Sequence, residues 1–332
     1  MSLNSDHITH WKEQGYSSVF VLTDEHTYRE CYAVLKPFIP DFDESHLFVI
    51  PAGEAHKTIE TATALWNKLL AAKADRRSLL INLGGGMVCD LGGFVAATYQ
   101  RGMHFLHVPT TLLAMVDASV GGKTAINFQG YKNQVGVFAN PVAVLCHTPF
   151  LQTLDQRQLL SGFAEMIKVA LVADADYFDK LTAIAPNQIV HHQVLIDHAI
   201  KLKQQIVEQD KRDYNLRHLL NFGHTIGHAL EAWSAGKETA LLHGEAVAVG
   251  MVVESWLSWK SGLLSEEEYG RIEQYLRQYY PIDAFFTGKL PHAIYALLQT
   301  DKKREGDNLN FTLLKRIGEG VVNQNPAVEA LF

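Results

Sequence analysis

The first half of the chain alternates short apolar runs with longer amphipathic stretches. The runs at residues 18–23, 46–51, 78–83, 105–108 and 142–146 are rich in Val, Ile, Leu and Phe and predict β-strands. Between them, residues 58–73 and 88–98 carry apolar side chains at helical spacing. Strands that alternate with helices are typical of a parallel sheet with crossover helices, so the pattern predicts a Rossmann-like α/β domain.

The pattern changes near residue 155. Apolar positions then recur at helical spacing through residues 157–173, 188–208, 216–232, 245–260 and 266–279, and an extended stretch follows at 310–314. This half therefore predicts a mainly α-helical domain. We place the boundary so that residues 1–152 form the α/β domain and residues 153–332 form the helical domain.

Composition excludes several classes of protein. The 332 residues are 47% hydrophobic and 20% charged, and no apolar run reaches membrane length. The net charge of −7, without a basic tail, argues against nucleic-acid binding. Three scattered cysteines and an N-terminus without a signal-peptide pattern predict a cytoplasmic protein. An anionic ligand must therefore meet a local cluster of Lys and Arg.

Two loops with glycines follow predicted strands. Gly84, Gly85 and Gly86 precede a helix that contains Asp90, and such glycines let the backbone approach a pyrophosphate. The run matches neither the GxGxxG fingerprint nor a Walker A loop, and a simple tight turn is the alternative. The loop at 51–57 adds a carboxylate and a lysine. Because ligands of open α/β sheets bind beyond the carboxyl ends of the strands, the two loops predict one ligand crevice.

A polar segment follows the fourth predicted strand. Thr110 and Thr111 begin it, and their hydroxyls either cap the next helix or face a ligand. Residues 117–133 then combine glycines and charges with little apolar periodicity. The polar residues of this part are Asp117, Lys123, Lys132 and Asn133. A solvated loop explains the lysines as well as an anion-binding segment does, so both interpretations stay open.

The helical half contains a pair of histidines at i, i+4. His224 and His228 share one helix face at this spacing, and Arg217 and Asn221 are predicted to continue the same face. Neutral imidazoles with one carboxylate are ligands of a catalytic Zn²⁺, whereas a structural zinc site normally uses cysteine. From spacing alone, His224 and His228 are therefore candidate zinc ligands. The alternative is the polar face of a partly buried helix.

Two more residues extend this candidate metal site. Glu165 interrupts an otherwise apolar helical run, and His243 begins the helical stretch that follows the histidine pair. Lys168 is one turn beyond Glu165. It either brings a cation beside a metal ligand or forms a surface ion pair that contributes little to stability.

Together these segments resemble the sugar phosphate cyclases, and most closely the 3-dehydroquinate synthases of the shikimate pathway. The resemblance runs from about Val21 to Gly318. The motifs that carry it, in chain order, are PAGEAHK, LGGGMVCDLGGF, YQRG, VPTTLLAMVDASVGGKTAIN, GYKNQVG, SGFAEMIK, LRHLLNFGHTIGHALE, LHGEAVAVGM and DKK. It implies a dehydroquinate-synthase or glycerol-dehydrogenase-like fold, with an α/β N-terminal domain and a mainly α-helical C-terminal domain.

The resemblance also implies a set of binding residues. It implies an NAD site formed by Asp24, Gly53, Glu54, Lys57, Gly85, Gly86, Asp90, Thr110, Thr111, Lys123, Lys132 and Thr153. It implies Zn²⁺, or Co²⁺ in its place, on Glu165, His224 and His243, which makes His228 a supporting or substrate residue. It implies catalytic or substrate contacts from Arg101, Asp117, Lys123, Lys132, Asn133, Lys168, Lys203, Arg217, Asn221, His228 and the Lys302/Lys303 pair.

The implied reaction converts 3-deoxy-D-arabino-heptulosonate 7-phosphate, a phosphorylated sugar acid, to 3-dehydroquinate and phosphate. The steps are oxidation by NAD, β-elimination of phosphate, reduction, ring opening and aldol closure. The product serves chorismate and aromatic amino acid biosynthesis. The resemblance further implies a homodimer, without a nucleic-acid or membrane partner.

Three alternative functions stay open at this point. A metal- and NAD-dependent polyol dehydrogenase would share the fold but would not need so many cations. A sister sugar phosphate cyclase would act on a related substrate, such as the amino analogue that gives aminodehydroquinate. Arg217 and Asn221 suit a substrate carboxylate, which the amino analogue retains and a sugar phosphate without a carboxylate lacks. A binding protein without activity is the third alternative, and the full set of candidate ligands argues against it.

Overall fold

The computed structural model describes residues 3, 6–238, 240–299, 309–328 and 331–332. The chain divides into two compact units, Met1–Asp155 and Gln156–Phe332. The boundary expected from sequence, between residues 152 and 153, falls in the 3₁₀ turn Thr148–Thr153 close to this division. The assignment of cofactor binding to one unit and of metal and substrate binding to the other stays a prediction.

The first unit is built around a parallel sheet. Its elements are α1 (Asp6–Thr9), β1 (Val19–Asp24), α2 (Glu25–Leu35), β2 (Leu47–Ile50), α3 (Ile59–Ala71), β3 (Leu79–Gly84), α4 (Gly86–Thr98), β4 (His104–Pro109), β5 (Lys123–Phe128) and β6 (Tyr131–Phe138). Strands β2, β1, β3 and β4 lie in that order and all pair in parallel. Every residue of β1 and β3 is buried, as expected of strands covered on both faces. The predicted α/β layer is confirmed.

The fifth run that was predicted as a strand, 142–146, does not form a full strand. It makes one isolated parallel bridge, between Val144 and His107 of β4. Val142 and Leu145 donate backbone hydrogen bonds to β4 at 2.8 and 2.9 Å, but the ladder extends no further. Pro141 immediately before the run has no N–H to donate, which limits pairing at this edge of the sheet.

The polar segment at 117–133 is not a plain loop. Its second half enters the antiparallel hairpin β5–β6, whose two-residue turn consists of Gln129 and Gly130. Both turn residues have positive φ, 49° and 82°, as a hairpin turn that matches the twist of its strands requires. All eight residues of β6 are exposed. The hairpin therefore buries Ala125 and Ile126 of β5 in the first unit, while β6 exposes both polar and apolar side chains.

The second unit is mainly helical, as predicted. Its elements are α5 (Gln156–Ala173), α6 (Ala175–Thr182), α7 (Gln193–Gln209), α8 (His224–Ser234), α9 (His243–Lys260), α10 (Glu266–Tyr279), α11 (Ile282–Phe285), α12 (His292–Gln299), β7 (Phe311–Arg316) and β8 (Glu319–Gln324). The late extended stretch is strand β7, which pairs with β8 in an antiparallel hairpin. No helix among the described residues is long and apolar enough to cross a lipid bilayer.

The helix predicted over 216–232 is interrupted. Leu216–Asn221 forms a 3₁₀ turn, and α8 begins only at His224. Gly223 between them has a φ of 76°, a left-handed conformation that ends one helical segment before the next begins. The prediction that Arg217 and Asn221 continue the helix face of the histidine pair is therefore wrong.

Candidate active site

Three helices of the second unit bring one carboxylate and two imidazoles together. Glu165 lies in the middle of α5, while His224 and His243 are the first residues of α8 and α9. One ligand atom from each lies within 4.8 Å of the others. Oε1 of Glu165 is 3.6 Å from Nε2 of His224 and 3.3 Å from Nε2 of His243. Ligand atoms around one tetrahedral Zn²⁺ lie roughly 3.3 Å apart at the usual bond lengths, so this set fits a single ion.

The second nitrogen of each imidazole has its own partner. His224 Nδ1 lies 3.1 Å from the carbonyl oxygen of Phe222, and His243 Nδ1 lies 3.3 Å from Oε2 of Glu231. With Nδ1 as the donor in both rings, both Nε2 atoms point toward Glu165, which is the orientation of metal-binding histidines. Burial by itself would lower the pKa of His243, but Glu165 and Glu231 raise it to about 10, so a cation bound at Nε2 would displace a proton from this ring.

The carboxylate of Glu165 supports the same interpretation. Both of its oxygens are buried, and among the described residues neither receives a hydrogen bond of normal geometry. Instead Lys168, one turn further along α5, forms an ion pair with Oε2, and both side chains are almost fully buried. A buried carboxylate with two imidazoles is a donor set that suits a divalent cation. The alternative of a surface ion pair for Lys168 is wrong.

Glycines allow the three helices to approach this closely. A Cβ on Gly250 of α9 would lie 1.9 Å from the carbonyl oxygen of Gly223, and one on Gly227 of α8 would lie 3.1 Å from the backbone of α9. A Cβ on Gly244 would lie 2.0 Å from the carbonyl oxygen of Ser161 in α5. The hydroxyl of Ser161 also accepts a hydrogen bond from the Gly244 N–H at 2.9 Å. The three ligand-bearing helices are therefore held at backbone contact distance.

His228 lies beside this cluster but is not part of it. Its ring is 5.2 Å from that of His224 and 6.1 Å from that of His243, measured between centroids, and the residue is exposed. The interpretation from spacing alone, in which His224 and His228 are the ligand pair, is therefore not the arrangement that brings ligand atoms together. The set that does so is the one implied by the family resemblance: Glu165, His224 and His243.

Buried cations lie in the same unit. Lys168, Lys203 of α7 and Arg217 are each less than a tenth exposed. The 3₁₀ turn that carries Arg217 is held by Asp210, whose carboxylate accepts the backbone N–H groups of Tyr214, Asn215 and Arg217 at 2.7–3.1 Å. These hydrogen bonds lower the pKa of Asp210 to about 2. Asn221 ends the same turn.

In the first unit, the Gly84–Gly86 loop lies at the carboxyl end of β3. Gly85 is the residue before α4, and a Cβ on it would lie 3.2 Å from the Thr111 side chain. The hydroxyl of Thr110 is buried and has no hydrogen-bond partner among the described residues. Free N–H groups at a helix N-terminus beside an unsatisfied buried hydroxyl fit the phosphates of a dinucleotide.

The second glycine-containing loop meets the first through Lys57. Lys57 is only 3% exposed, and its ammonium donates to Asp90 Oδ2 at 2.5 Å. Burial raises the pKa of Asp90, the Lys57 charge opposes that shift, and Glu54 and Asp117 add to it. Gly53, with a φ of 106°, begins the turn that places Glu54 beside Lys57. The predicted crevice residues are thus neighbours in the structure.

The remaining predicted residues are placed as follows. Asp24 caps α2 through the N–H groups of His26 and Thr27, and Thr153 is exposed at the end of its 3₁₀ turn. Arg101 is exposed after α4 and has a positive φ of 68°. Lys123, Lys132 and Asn133 are exposed on the hairpin. Lys302 and Lys303 lie outside the described residues.

Sequence reasoning missed several residues that shape the site. Glu231 contacts His243, and Glu254, fully buried in α9, accepts the N–H groups of Gly223 at 2.7 Å and Ile226 at 3.2 Å. Glu254 thereby fixes the first turn of the helix that carries His224. The signal for Glu231 was present, because it lies seven residues after His224 and three after His228, on the same helix face.

Comparisons with known proteins agree with this geometry. Residues 47–161 match the model of the 3-dehydroquinate synthase N-terminal family, and residues 162–304 match that of the C-terminal family. A 3-dehydroquinate synthase from Parabacteroides distasonis is 40% identical over 319 residues, which cover 96% of this chain and 90% of the relative.

Solved structures of other enzymes are also similar to this chain. The 2-epi-5-epi-valiolone synthase from Streptomyces hygroscopicus, with NAD⁺ and Zn²⁺ bound, has a TM-score of 0.85 at 30% identity, covering 96% of this chain and 90% of its own. A 2-deoxy-scyllo-inosose synthase in complex with carbaglucose-6-phosphate, NAD⁺ and Co²⁺ has a TM-score of 0.81 at 26% identity, covering 94% and 88%. Glycerol dehydrogenase from Schizosaccharomyces pombe, at 14% identity and a TM-score of 0.56, covers 81% and 72% and shares the fold alone. The chain belongs to the 3-dehydroquinate synthase family.

Proposed function

We propose that this protein converts 3-deoxy-D-arabino-heptulosonate 7-phosphate to 3-dehydroquinate and phosphate. The observation that carries the proposal is the presence, in one unit, of a three-ligand metal set and three buried cations, Lys168, Lys203 and Arg217. A metal set alone suits many enzymes. A metal set in the same unit as several buried cations suits a substrate that carries both hydroxyls to be bound by the ion and anionic groups to be neutralised.

Each unit supplies a distinct part of the chemistry. When bound, NAD exchanges a hydride with the substrate, and Zn²⁺ or Co²⁺ acidifies the hydroxyl that is oxidised. In the second unit Glu165, His224 and His243 would hold the ion. In the first, the N-terminus of α4, Lys57 and Asp90 would hold the dinucleotide, with the other residues of the implied NAD site around them. Because the cofactor would supply the redox change, the side chains mainly position the substrate and neutralise its charge.

We propose substrate contacts in which cationic and polar side chains face the anionic groups of the substrate. In the second unit Arg217 and Asn221 would orient the carboxylate, and Lys168, Lys203 and His228 would neutralise oxygens that develop negative charge. In the first unit Lys123, Lys132 and Asn133 would bind the phosphate group, with Asp117 and Arg101 as further polar contacts. This distribution explains how a chain with a net charge of −7 binds a multiply anionic sugar.

The buried cations separate this proposal from a polyol dehydrogenase. A carboxylate and a phosphate each form ion pairs with ammonium or guanidinium groups, whereas a neutral polyol does not. A sister cyclase whose substrate lacks the carboxylate would leave Arg217 without that anion.

Substrate comparison tests the proposal. We expect turnover of the heptulosonate phosphate, measured as released inorganic phosphate, and a specificity constant lower by at least about tenfold for sedoheptulose 7-phosphate, because one charge-assisted contact is lost. Comparable turnover of both sugars would favour a sister cyclase. Turnover of glycerol with NADH formation, and none of the sugar phosphates, would favour the dehydrogenase.

We also propose a cytoplasmic homodimer. The three cysteines are free thiols, which agrees with a reducing compartment. The dimer rests on the family resemblance, and light scattering of the purified protein tests it. A monomer mass at catalytic concentrations would contradict that part of the proposal.

A further inference from the structure

Asn127 occupies an irregular position near the end of β5. The register of the β5–β6 hairpin shifts between Ile126 and Phe128, because β6 has two residues more than β5 in this stretch, and Asn127 lies opposite residues 132–134. Such a bulge disrupts the hydrogen-bond ladder locally. The Asn127 N–H accordingly donates to the carbonyl oxygen of Lys57, at 2.8 Å, rather than to β6.

The side chain of Asn127 then bonds in two directions. Its amide nitrogen donates to Oε1 of Glu54 at 2.9 Å, and its amide oxygen accepts the backbone N–H of Asn133 at 2.9 Å. Glu54 belongs to the proposed NAD site, and Asn133 belongs to the proposed phosphate contacts. Asn127 is assigned to neither, yet it bridges them.

Lys57 closes this connection into a ring. Its ammonium donates to the side-chain oxygen of Asn133 at 2.5 Å and to Asp90 at 2.5 Å. Asn133 has a left-handed backbone, with a φ of 52°, and is held in it by hydrogen bonds at its N–H and its side chain. A left-handed residue in a strand is unfavourable without such support. The orientation of Asn133 therefore depends on Asn127 and on Lys57 together.

We propose that Asn127 is a positioning residue that couples the dinucleotide loop to the anion-binding hairpin. The proposal rests on the proposed function, because it takes the ligands of the two segments from it. A dinucleotide that orders Glu54 and Lys57 also orders Asn133 through the ring, so it raises the affinity of the hairpin for phosphate. By linkage, phosphate raises the affinity for NAD by the same factor.

The coupling is measured by titrating the metal-loaded protein with NAD, with and without saturating inorganic phosphate, and following binding by calorimetry. We expect the NAD dissociation constant of the parent protein to fall at least about fivefold when phosphate is present, the lower end of ordinary coupling. Asn127→Ala removes both side-chain bonds without adding charge. We expect it to bind NAD and phosphate with a coupling factor close to one.

Two further variants sharpen the test. Asn67→Asp changes an exposed amide on α3 of the same unit and is expected to keep the parent coupling. Asn127→Asp removes the amide donor of the hydrogen bond to Glu54 and places two carboxylates against each other. In the double variant Asn127→Asp with Glu54→Gln, the glutamine amide donates to the aspartate, so the same hydrogen bond forms in the opposite direction. We expect the single variant to lose coupling and the double variant to regain at least half of the coupling free energy. A merely structural role would not give this recovery.

The outcomes are distinguishable from those of the proposed function. Parent protein that binds NAD and phosphate independently, or Asn127→Ala that retains the parent coupling factor, would overturn the inference and leave the proposed reaction intact. Failure of the parent protein to bind NAD at all would overturn both.

Discussion

Oε2 of Glu231 lies 3.3 Å from Nδ1 of His243, on the side of the ring opposite the metal set. Both side chains are largely buried, and they belong to different helices, α8 and α9. The contact fixes the proton of His243 on Nδ1 and turns Nε2 toward Glu165. Glu231 therefore orients one proposed metal ligand, although it would not touch the ion itself.

We expect Glu231→Ala to weaken divalent-metal affinity by about 10–100-fold, as loss of a partner behind a ligating histidine usually does. Competition with a fluorescent zinc chelator measures the affinity. Glu238→Ala on the surface after α8 is the control and is expected to leave it unchanged. Equal zinc affinity in Glu231→Ala and the parent protein would show that the ring needs no such partner.

The two histidines near His224 are expected to differ in metal content. His243→Ala removes a ligand atom that lies 3.3 Å from Glu165, so the purified variant should lose stoichiometric metal. His228→Ala changes an exposed ring outside the set and should retain it. Metal per chain is measured by atomic emission. The opposite pattern would restore the i, i+4 pair as the ligands.

Helix packing at the metal set is expected to depend on Gly250. Gly250→Ala drives a methyl group to within 1.9 Å of the carbonyl oxygen of Gly223, so the helices α8 and α9 must separate. We expect a loss of about 3 kcal/mol or more in the free energy of unfolding, together with weaker metal binding.

Gly270→Ala is the matched control for Gly250→Ala. Nothing lies within 4 Å of a Cβ at this position in α10, and alanine favours helices, so we expect a gain of about 0.5–1 kcal/mol. Denaturant unfolding measures both variants. A Gly250→Ala protein as stable as the parent would contradict the close approach of the two helices.

Arg217 is expected to bind the substrate carboxylate. A charge-assisted hydrogen bond contributes about 1.5–3 kcal/mol, so Arg217→Ala should lower the specificity constant for the heptulosonate phosphate by about one to two orders of magnitude. NAD affinity should not change. Arg212→Ala, an exposed arginine nearby, is the control in the same assay. Equal kinetics for Arg217→Ala and the parent would mean that this cation has another role.

The sequence pattern predicted most of the fold. Strands β1 and β3 stand out as continuous apolar runs because both of their faces are covered, and α9 is apolar because most of its residues are buried, whereas α10 buries one face at helical spacing. The break at Gly223 was not predicted, because the apolar spacing continues across it, and only the backbone conformation ends the helix. The hairpin β5–β6 was also missed as a sheet element, because its exposed strand β6 carries no alternating buried face.

Part of the candidate site was also predicted from the sequence and part was not. The family motifs identified the three metal-set residues correctly. Spacing alone favoured His228 as the second histidine, because it shares a helix with His224 and His243 does not. Contacts such as Glu231 with His243 or Asn127 with Asn133 depend on the tertiary arrangement of side chains. Residues that position others carry no chemical signature of their own, so they are the hardest to find in a single sequence.

NAD is expected to be reduced and reoxidised within each turnover, because product and substrate have the same overall redox level. The most direct measurement supplies the purified protein with the heptulosonate phosphate and substoichiometric NAD⁺, and follows inorganic phosphate and the absorbance of reduced nicotinamide together. We expect many phosphates released per NAD and no accumulation of NADH. Formation of one NADH for each substrate consumed would contradict it.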